Sequence, residues 1–303
     1  MMKKILLYFT LILFVACETD IDIELPEYQN KLVVEGYIEN DEYAKVVITK
    51  SLPYFSTINF ETLFTDLIVN DAKVTITSGK GESEVLEFTI DPESPLYFSY
   101  QGRSLKGECN ESYILTIEWN DKIFTANTSI PETFDLDSIW IEHFVETDTL
   151  GSVRMILTDN PAKRDYYQFK VKIHHGEKLR DRLWAYCLPL VFDDATFNGI
   201  NFTYEIVRAS PSTLHATLLS DEEKETYYRS HFEVGDTILI KHSLMDHDSY
   251  RFWITAMNEI TFGQNVFMSP PPIQSNIKCN TGEKVLGVWC GFASKTDVLI
   301  FSK

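Results

Sequence analysis

The sequence predicts a mainly β protein made of two antiparallel β-sandwich domains of immunoglobulin-like type, the second with one or two short helices inserted. Short segments rich in β-branched and aromatic residues recur along the chain, and Asn-Asp, Ser-Gly, Asp-Pro and Ser-Pro turns separate them. In the first half no helical pattern lies between these segments, which is typical of a sandwich. With 303 residues, 44% of them apolar, the chain can bury one large core or two ordinary ones.

The first domain is predicted over residues 31–131. Along 112–119, Tyr113, Leu115 and Ile117 alternate with other residues at a two-residue period, which gives a strand one clearly apolar face. Asn120-Asp121 then fits a tight hairpin turn into the next strand. The strands predicted for this domain are 31–39, 44–50, 73–78, 84–90, 112–119 and 122–129.

The second domain is predicted over residues 138–303. Pro131 ends the first block and a linker follows it, so the boundary is placed near 131–137. In the segment 166–175, Phe169, Val171 and Ile173 face one way, while the polar Gln168, Lys170 and Lys172 face the other. The strands predicted here are 139–146, 152–158, 166–175, 201–208, 236–242, 284–292 and 296–302.

Two helices are predicted within the second domain. Ser220 and Glu223 have the spacing of a capping box, which favours a short helix over 220–229. The stronger pattern spans 245–262, where apolar residues recur every three or four positions and share one face. Core packing against a sheet is favoured for this stripe, and a platform for a ligand is the alternative. Its members are Tyr250, Trp253, Ile254, Met257 and Ile260, with Ser243 and Asp246 as candidate caps.

The N-terminus predicts a lipoprotein signal peptide over residues 1–16. Lys3 and Lys4 precede a short apolar run that is too short to span a bilayer. The run ends in Phe14-Val15-Ala16-Cys17, which resembles a bacterial lipobox, so Cys17 is predicted to be acylated. An ordinary secretory signal with a chance cysteine is the alternative. Several acyl chains on one cysteine would give a durable membrane anchor.

An acid-rich stretch over residues 17–30 is predicted to be a tether. It begins Glu18-Thr19-Asp20-Ile21-Asp22-Ile23-Glu24, and it is either a surface-export signal or a solvated spacer. The whole chain has 27 Lys and Arg against 45 Asp and Glu, a formal net charge of −18. Such a chain is repelled by phosphate groups, which argues against nucleic acid as a partner.

Four cysteines remain after Cys17. An even number in an exported chain is consistent with two disulfides. Cys279 and Cys290 are close in sequence and are predicted to pair, which leaves Cys109 and Cys187 to pair or to stay free. The chain has no closely spaced cysteine pair of the C-x-x-C kind, so a zinc site is not favoured.

The sequence offers few candidates for catalysis. The common nucleotide-binding and hydrolase motifs are absent, and no cofactor is predicted. Asp246-His247-Asp248 could hold a metal, but acids are also expected at a helix start. The loop from Asp193 to Gly199 has the composition of a calcium loop without its ligand spacing, so a plain turn is favoured.

Four segments together with Cys17 carry a family resemblance. The chain resembles the DUF4249 lipoproteins of Bacteroidetes, and the resemblance covers nearly the whole mature chain. Its most specific part is the Ser-Pro-Pro-Pro-Ile sequence that precedes a glycine-containing strand. The segments are KLVVEGYI at 31–38, TANTSIP at 125–131, NVFMSPPPIQSNI at 265–277 and GVWCGFA at 287–293.

The resemblance implies a role but no chemistry. Family members are typically encoded near TonB-dependent transporters, which implies an accessory or substrate-capturing lipoprotein of the outer membrane, exposed at the cell surface. No catalytic residues are carried over, and the chain is expected not to be an enzyme. A surface hydrolase acting on glycans and a cell-surface adhesin are the alternatives. Pro270, Pro271 and Pro272 are expected to form either a partner-facing ridge or a rigid crossover.

Overall fold

The computed structural model describes residues 30–52, 67–92, 94, 96–144, 147–174, 183–208, 232–262 and 271–303. The predicted signal peptide, Cys17, almost all of the predicted tether, the predicted helix at 220–229 and Pro270 lie outside the described residues. Within the described part of the chain, no helix is long and apolar enough to cross a membrane.

The protein is mainly β, as the sequence predicts. In the first half the strands are β1 (Leu32–Glu39), β2 (Tyr43–Lys50), β3 (Lys73–Ser78), β4 (Ser83–Val85), β5 (Glu87–Ile90), β6 (Phe98–Lys106), β7 (Glu111–Trp119) and β8 (Lys122–Ile130). In the second half they are β9 (Ser138–Phe144), β10 (Thr147–Thr158), β11 (Tyr166–His174), β12 (Ala185–Leu188), β13 (Phe192–Asp193), β14 (Asn201–Arg208), β15 (Phe232–Glu233), β16 (Thr237–Met245), β17 (Lys278–Cys279) and β18 (Leu286–Ile300). A 3₁₀ turn spans Asp194–Thr196, and a helix, α1, spans His247–Phe262.

The strands form two sheets that pack in a sandwich-like arrangement. The large sheet has the order β15-β10-β14-β12-β11-β16-β18-β1-β2-β6-β5, with β13 beside β11 and β9 beside β10. The small sheet has the order β17-β8-β7-β3-β4. Among the described strands, pairing is antiparallel except between β1 and β18, which are parallel.

Strand β18 joins the two halves of the chain. Its first part pairs with β1, and its second part pairs with β16. The large sheet is therefore continuous across the boundary predicted near 131–137, and residues 31–303 form one compact unit instead of two separate domains. The pairing of Gly36 with Trp289 illustrates why sequence patterns missed this: the partners are far apart along the chain.

A shared apolar core lies between the two sheets. Val34 and Ile38 of β1 and Leu115 of β7 are buried and belong to one cluster. They occupy alternate positions on their strands, as expected for strands with one buried face. Burial of these faces supplies the main driving force for folding.

Trp289 of β18 lies at the centre of this core. It is fully buried, and its ring lies against Gly36, where a Cβ atom would come within 2.9 Å of Trp289 Cε3. Two residues earlier, Gly287 has a φ of +122°, and a Cβ there would come within 1.8 Å of the Val34 carbonyl oxygen. The glycines thus let β1 and β18 approach each other under the indole ring.

Helix α1 packs on the outer face of the large sheet, away from the shared core. Its Tyr250, Trp253 and Ile254 contact a small apolar cluster that includes Val288 and Phe292 of β18. This confirms the prediction that the apolar stripe serves core packing, although Ile260, near the end of the stripe, is 75% exposed.

Asp246 caps the N-terminus of α1, one of the two cap positions that the sequence suggested. Its Oδ1 accepts a hydrogen bond from Ser249 N at 2.8 Å, the geometry of an N-cap. Its Oδ2 accepts from Ser129 N at 3.0 Å and from the Thr128 hydroxyl, both on β8 of the small sheet. Ser243, the other candidate cap, lies within β16.

Cys279 and Cys290, which the sequence predicted to pair, form no disulfide in the structure. Cys279 lies on β17 of the small sheet, whereas Cys290 lies on β18 of the large sheet and faces α1. Cys109 is exposed in the turn after β6, while Cys187 is buried in the core. Closeness in sequence did not bring the first pair together, because the intervening residues cross from one sheet to the other.

The segment 271–277 leads into β17. Asn276 ties it to β18: its Nδ2 donates to the Trp289 carbonyl at 2.8 Å, and its Oδ1 accepts from Trp289 N at 2.9 Å. Ser275 Oγ donates to the Gly287 carbonyl at 2.7 Å. Pro271 and Pro272 are exposed to solvent.

Candidate functional site

The outer face of the large sheet carries charged and aromatic residues beside α1. On β11 this face includes Lys170, whose cross-strand neighbour on β16 is Lys241. On β1 it includes Glu35, Tyr37 and Glu39, which alternate with the buried core residues of that strand. The register of β16, β18 and β1 brings these side chains together from three distant parts of the chain.

Lys170 is surrounded by aromatic rings. Its Nζ lies 4.8 Å from the ring centroid of Tyr186, 5.2 Å from that of Phe292 and 5.9 Å from that of Tyr37, all within the range of cation–π interaction. Among the described residues, no carboxylate forms an ion pair with this ammonium group, and no hydrogen-bond acceptor contacts it. We call Lys170 and these three rings, together with Lys241, Glu39 and Trp184, the Lys170 cluster.

The neighbouring Lys241 is paired, in contrast to Lys170. Its Nζ lies 2.8 Å from Glu39 Oε2, and the two side chains are 17% and 8% exposed. The same ammonium lies 4.8 Å from the ring centroid of Trp184. Because Glu39 is occupied by Lys241, it gives Lys170 only a longer-range attraction.

Burial lowers the pKa of Lys170 from its ordinary value. The negative charge of Glu39 opposes this shift, and the positive charge of Lys241 adds to it. A lowered lysine pKa means that the folded protein disfavours the charged form. Desolvation of the Lys170 ammonium group therefore costs stability at neutral pH, and the three aromatic rings offset part of that cost.

Glu35 lies beside Lys170 on the outer face and is exposed. Desolvation raises the pKa of its carboxyl group, an effect that the charge of Lys170 partly offsets. Burial, followed by the charge of Glu35, likewise raises the pKa of the partly buried Tyr186 well above its ordinary value.

The arrangement suits binding better than covalent catalysis. An ammonium group offers three hydrogen-bond donors, and here none of them has an acceptor among the described residues. The neighbouring Cys290 is no nucleophile, because burial raises the pKa of its thiol well above the ordinary value and keeps it protonated.

A cavity of about 280 Å³ lies between β8, α1 and the segment 274–278. Some of its polar side chains are already engaged. Asn276 bonds Trp289, and the guanidinium of Arg251 contacts Gln274 and Asp248. These groups are less available to a ligand than the unpaired ammonium of Lys170.

The acids that the sequence marked as metal candidates hold backbone groups. In the 193–199 loop, Asp193 Oδ1 accepts from Ala195 N at 3.3 Å, and Asp194 Oδ2 accepts from Asp165 N at 2.9 Å. These contacts make the loop a turn, the interpretation that the sequence favoured. Across the described residues, no group of three or more His, Cys, Asp or Glu side chains could hold a metal ion.

The sequence pattern alone does not indicate the Lys170 cluster. It placed Lys170 on the polar face of a strand, which is correct, but the same pattern fits any solvated strand face. Its partners come from β1, β12, β16 and β18, and only the strand register brings them together. A polar face interrupted by aromatic residues, as at Glu35 and Tyr37, is the one signal the sequence contained.

The family comparison agrees with the sequence resemblance. The model of the domain of unknown function DUF4249 matches residues 18–297 of the chain. The chain belongs to the DUF4249 family. No curated protein matches it significantly. Two of the segments that suggested DUF4249, 31–38 and 287–293, are the adjacent strands β1 and β18, and they supply Tyr37 and Phe292 of the Lys170 cluster.

Proposed function

We propose that this DUF4249 protein is a lipid-anchored protein of the outer membrane that captures a ligand as a non-enzymatic accessory of a TonB-dependent transporter. The observation that carries the proposal is Lys170, an ammonium group set among three aromatic rings with no carboxylate partner among the described residues.

A structural role explains Lys170 poorly. Its burial disfavours the charged form, and an apolar residue of the same length would fit the rings without that cost. Groups that reduce stability are found where function needs them, and shifted pKa values cluster at such places. Aromatic rings around a few polar groups are also the usual lining of a ligand site.

The membrane anchor in the proposal comes from the N-terminal sequence. Acylation of Cys17 after removal of residues 1–16 would attach the protein to the bilayer, and the acidic stretch that follows would hold the folded part away from it. The likeness to DUF4249 lipoproteins supports surface exposure and a transporter as partner. Pro271 and Pro272 are exposed and available to such a partner.

Hydrolysis of a glycan is less well supported than binding. Retaining and inverting glycosidases place two carboxyl groups roughly 5 to 10 Å apart. Glu35 and Glu39, the acids near Lys170, lie four residues apart on one strand face, so their Cα atoms are about 13 Å apart. Glu39 is also paired with Lys241, which leaves it poorly placed to act on a substrate.

Co-purification from native membranes tests the proposal. The tagged protein, extracted in mild detergent, is expected to bring down an outer-membrane barrel, which mass spectrometry would identify. The Cys17→Ser variant, which has no thiol to acylate, is the control for anchoring, and intact mass of the native protein reports the lipid directly.

Two results would reject the proposal. If no barrel accompanies the acylated protein, the accessory role is wrong. If the mass shows Cys17 without lipid, the anchor is wrong. Protease treatment of intact cells separates the membrane faces, since loss of the protein places it outside. Binding to host or matrix material without a barrel would instead support an adhesin.

A further inference from the structure

We infer that the surface next to Lys170, where α1 meets the large sheet, binds a carboxylate attached to a ring, held by Lys170, Gln168 and Trp253. The inference rests on the proposed capture of a ligand and names the chemical class of that ligand.

Gln168 is a buried amide without a partner. It is 1% exposed, and neither its Oε1 nor its Nε2 has a hydrogen-bond partner among the described residues. Buried side-chain amides are normally paired, so this one calls for an explanation. Gln168 lies two residues before Lys170 on β11, hence on the same face of the strand.

Helix α1 covers this part of the sheet. Tyr166, two residues before Gln168, stacks on Tyr250 of α1 with ring centroids 4.7 Å apart. Tyr186, the cross-strand neighbour of Lys170, contacts Trp253 of α1 at 5.6 Å. Gln168 lies between Tyr166 and Lys170 on β11, and α1 packs over Tyr166 and over the neighbour of Lys170. Gln168 is therefore at the interface of α1 and the sheet.

Trp253 supplies another unpartnered group at the same interface. Its indole N–H is buried and has no acceptor among the described residues. Its ring contacts Tyr186, whose own ring lies 4.8 Å from Lys170 Nζ. Lys170, Gln168 and Trp253 therefore each carry a polar group without a partner among the described residues. Gln168 and Lys170 lie on the same strand, and the ring of Tyr186 contacts both Lys170 and Trp253.

The donors and acceptors where α1 meets the sheet indicate the chemical class of the ligand. The ammonium of Lys170, the amide nitrogen of Gln168 and the indole of Trp253 all donate, and the amide oxygen of Gln168 is the one acceptor in this set. A carboxylate accepts several hydrogen bonds and gains from the positive charge. The flat rings of Tyr37, Tyr186 and Phe292 favour a planar or pyranose ring beside it.

The charge of Lys170 also favours an anion. Lys241 is already paired with Glu39, whereas Lys170 has no ion-pair partner among the described residues. An ammonium group without a carboxylate partner attracts an anionic ligand. A sugar acid and an aromatic acid share the required chemistry.

Fluorine NMR on the full mature chain in detergent tests the inference. The protein has five tryptophans, so labelling with 5-fluorotryptophan gives five resonances, assigned by single Trp→Phe substitutions. Trp184 and Trp253 report on the site, and Trp119, Trp140 and Trp289 serve as internal controls. The probes are glucuronate and benzoate, with methyl glucoside and benzamide as their neutral counterparts.

We expect at least one acid to shift the Trp184 and Trp253 resonances saturably, while its neutral counterpart does not. Lys170→Met should weaken this binding about tenfold or more, because the charged donor is lost. Gln168→Leu should weaken binding while leaving the denaturation midpoint unchanged or higher, which a structural role for the amide would not allow. Lys80→Met, at an exposed ion pair with Glu108, is the matched control and should bind normally.

The inference is overturned if neither acid shifts the two resonances, if the neutral probes bind equally well, or if Lys170→Met binds as the native protein does. It is also overturned if a crystal structure with the acid shows only ordered water at Gln168 and Trp253. Failure here with a barrel still co-purifying would leave the accessory role intact. If the protein binds an acid but brings down no barrel, the ligand site is supported and the accessory role is rejected.

Discussion

The indole N–H of Trp289 donates to the backbone carbonyl of Tyr113 at 3.0 Å and joins the large sheet to the small one. Both residues are almost completely buried. Trp289→Phe should lower the free energy of unfolding by about 2–4 kcal/mol, because the substitution removes a hydrogen bond and leaves a cavity. Urea denaturation followed by circular dichroism measures the change.

Trp119→Phe is the matched control for this substitution. Trp119 also donates through its indole N–H, to Asp71 at 2.9 Å, but it lies at the rim of the small sheet. Its loss should cost less than about 1 kcal/mol. Equal losses for the two variants would show that the contact between the sheets contributes nothing special.

Gly287→Ala should prevent folding or destabilise the protein severely. Gly287 has a φ of +122°, and an added Cβ would come within 1.8 Å of the Val34 carbonyl oxygen on β1. Gly81 also has a positive φ, +89°, but no atom lies within 4 Å of a Cβ placed there. Gly81→Ala should therefore cost only the backbone strain, about 1–2 kcal/mol. Comparable thermal midpoints for the two variants would contradict the close approach of β1 and β18.

Asp246→Ala should destabilise the protein by about 2 kcal/mol or more, since the carboxylate caps α1 and also bonds two residues of β8. Asp248→Ala is the control, because Asp248 is an exposed acid in the first turn of α1. Its interaction with the helix dipole stabilises the protein by about 0.3–1 kcal/mol. Hydrogen exchange should show α1 losing protection first in Asp246→Ala. A uniform loss of protection across the sheets would argue against a local cap.

Lys170→Met should be more stable than the native protein at neutral pH, with a gain that shrinks as the pH rises. Burial lowers the folded-state pKa of Lys170 below its unfolded value of 10.5. Below the folded pKa both states are protonated and the cost is fully present. Between the two values the folded state has lost its proton, so native stability rises with pH, and above 10.5 the cost of charge is gone.

Lys80→Met should, in contrast, be less stable than the native protein at neutral pH. The hydrogen bond to Glu108 raises the pKa of Lys80, so its contribution is present below pH 10.5 and is lost only as the pH rises through the folded value. Denaturation midpoints measured from pH 7 to pH 10.5 compare the two variants. A Lys170→Met variant less stable than the native protein at pH 7 would mean that the ammonium has a structural partner.

The four cysteines other than Cys17 should titrate as thiols in the denatured protein without reductant. In the folded protein Cys109 should react fast with iodoacetamide because it is exposed. Cys187 and Cys290 should react slowly because they are buried, and burial also raises the pKa of Cys290. A mass two units lower per bridge in the purified protein would restore the disulfide prediction.

Local pattern was sufficient for most single elements. The first strand was predicted over 31–39 and spans Leu32–Glu39, and the helix predicted over 245–262 spans His247–Phe262. The Asn120-Asp121 turn is present, with positive φ at both residues. These features depend on neighbours in sequence: alternation, helical spacing and turn chemistry.

Strands in which the alternation of apolar and polar residues is interrupted were not predicted correctly from the sequence. Strand β6, Phe98–Lys106, carries Gln101, Gly102 and Arg103 in its middle and was not predicted. The segments 284–292 and 296–302 were predicted as two strands, but they form the single long strand β18. The residues between them, Ala293 to Lys295, are held in the strand by pairing with β16.

By itself the sequence determined the mainly β class and the helix with its cap, and it predicts a lipid anchor, because each of these is encoded by residues close together in the chain. Only the tertiary structure decided that residues 31–303 form one unit, that the cysteines stay apart and that Lys170 lies among aromatic rings. Those features depend on which distant strands become neighbours, and β18 makes neighbours of β1 and β16. Strand register is fixed by the burial of whole faces, a property of the assembled sheets that no short stretch of sequence contains.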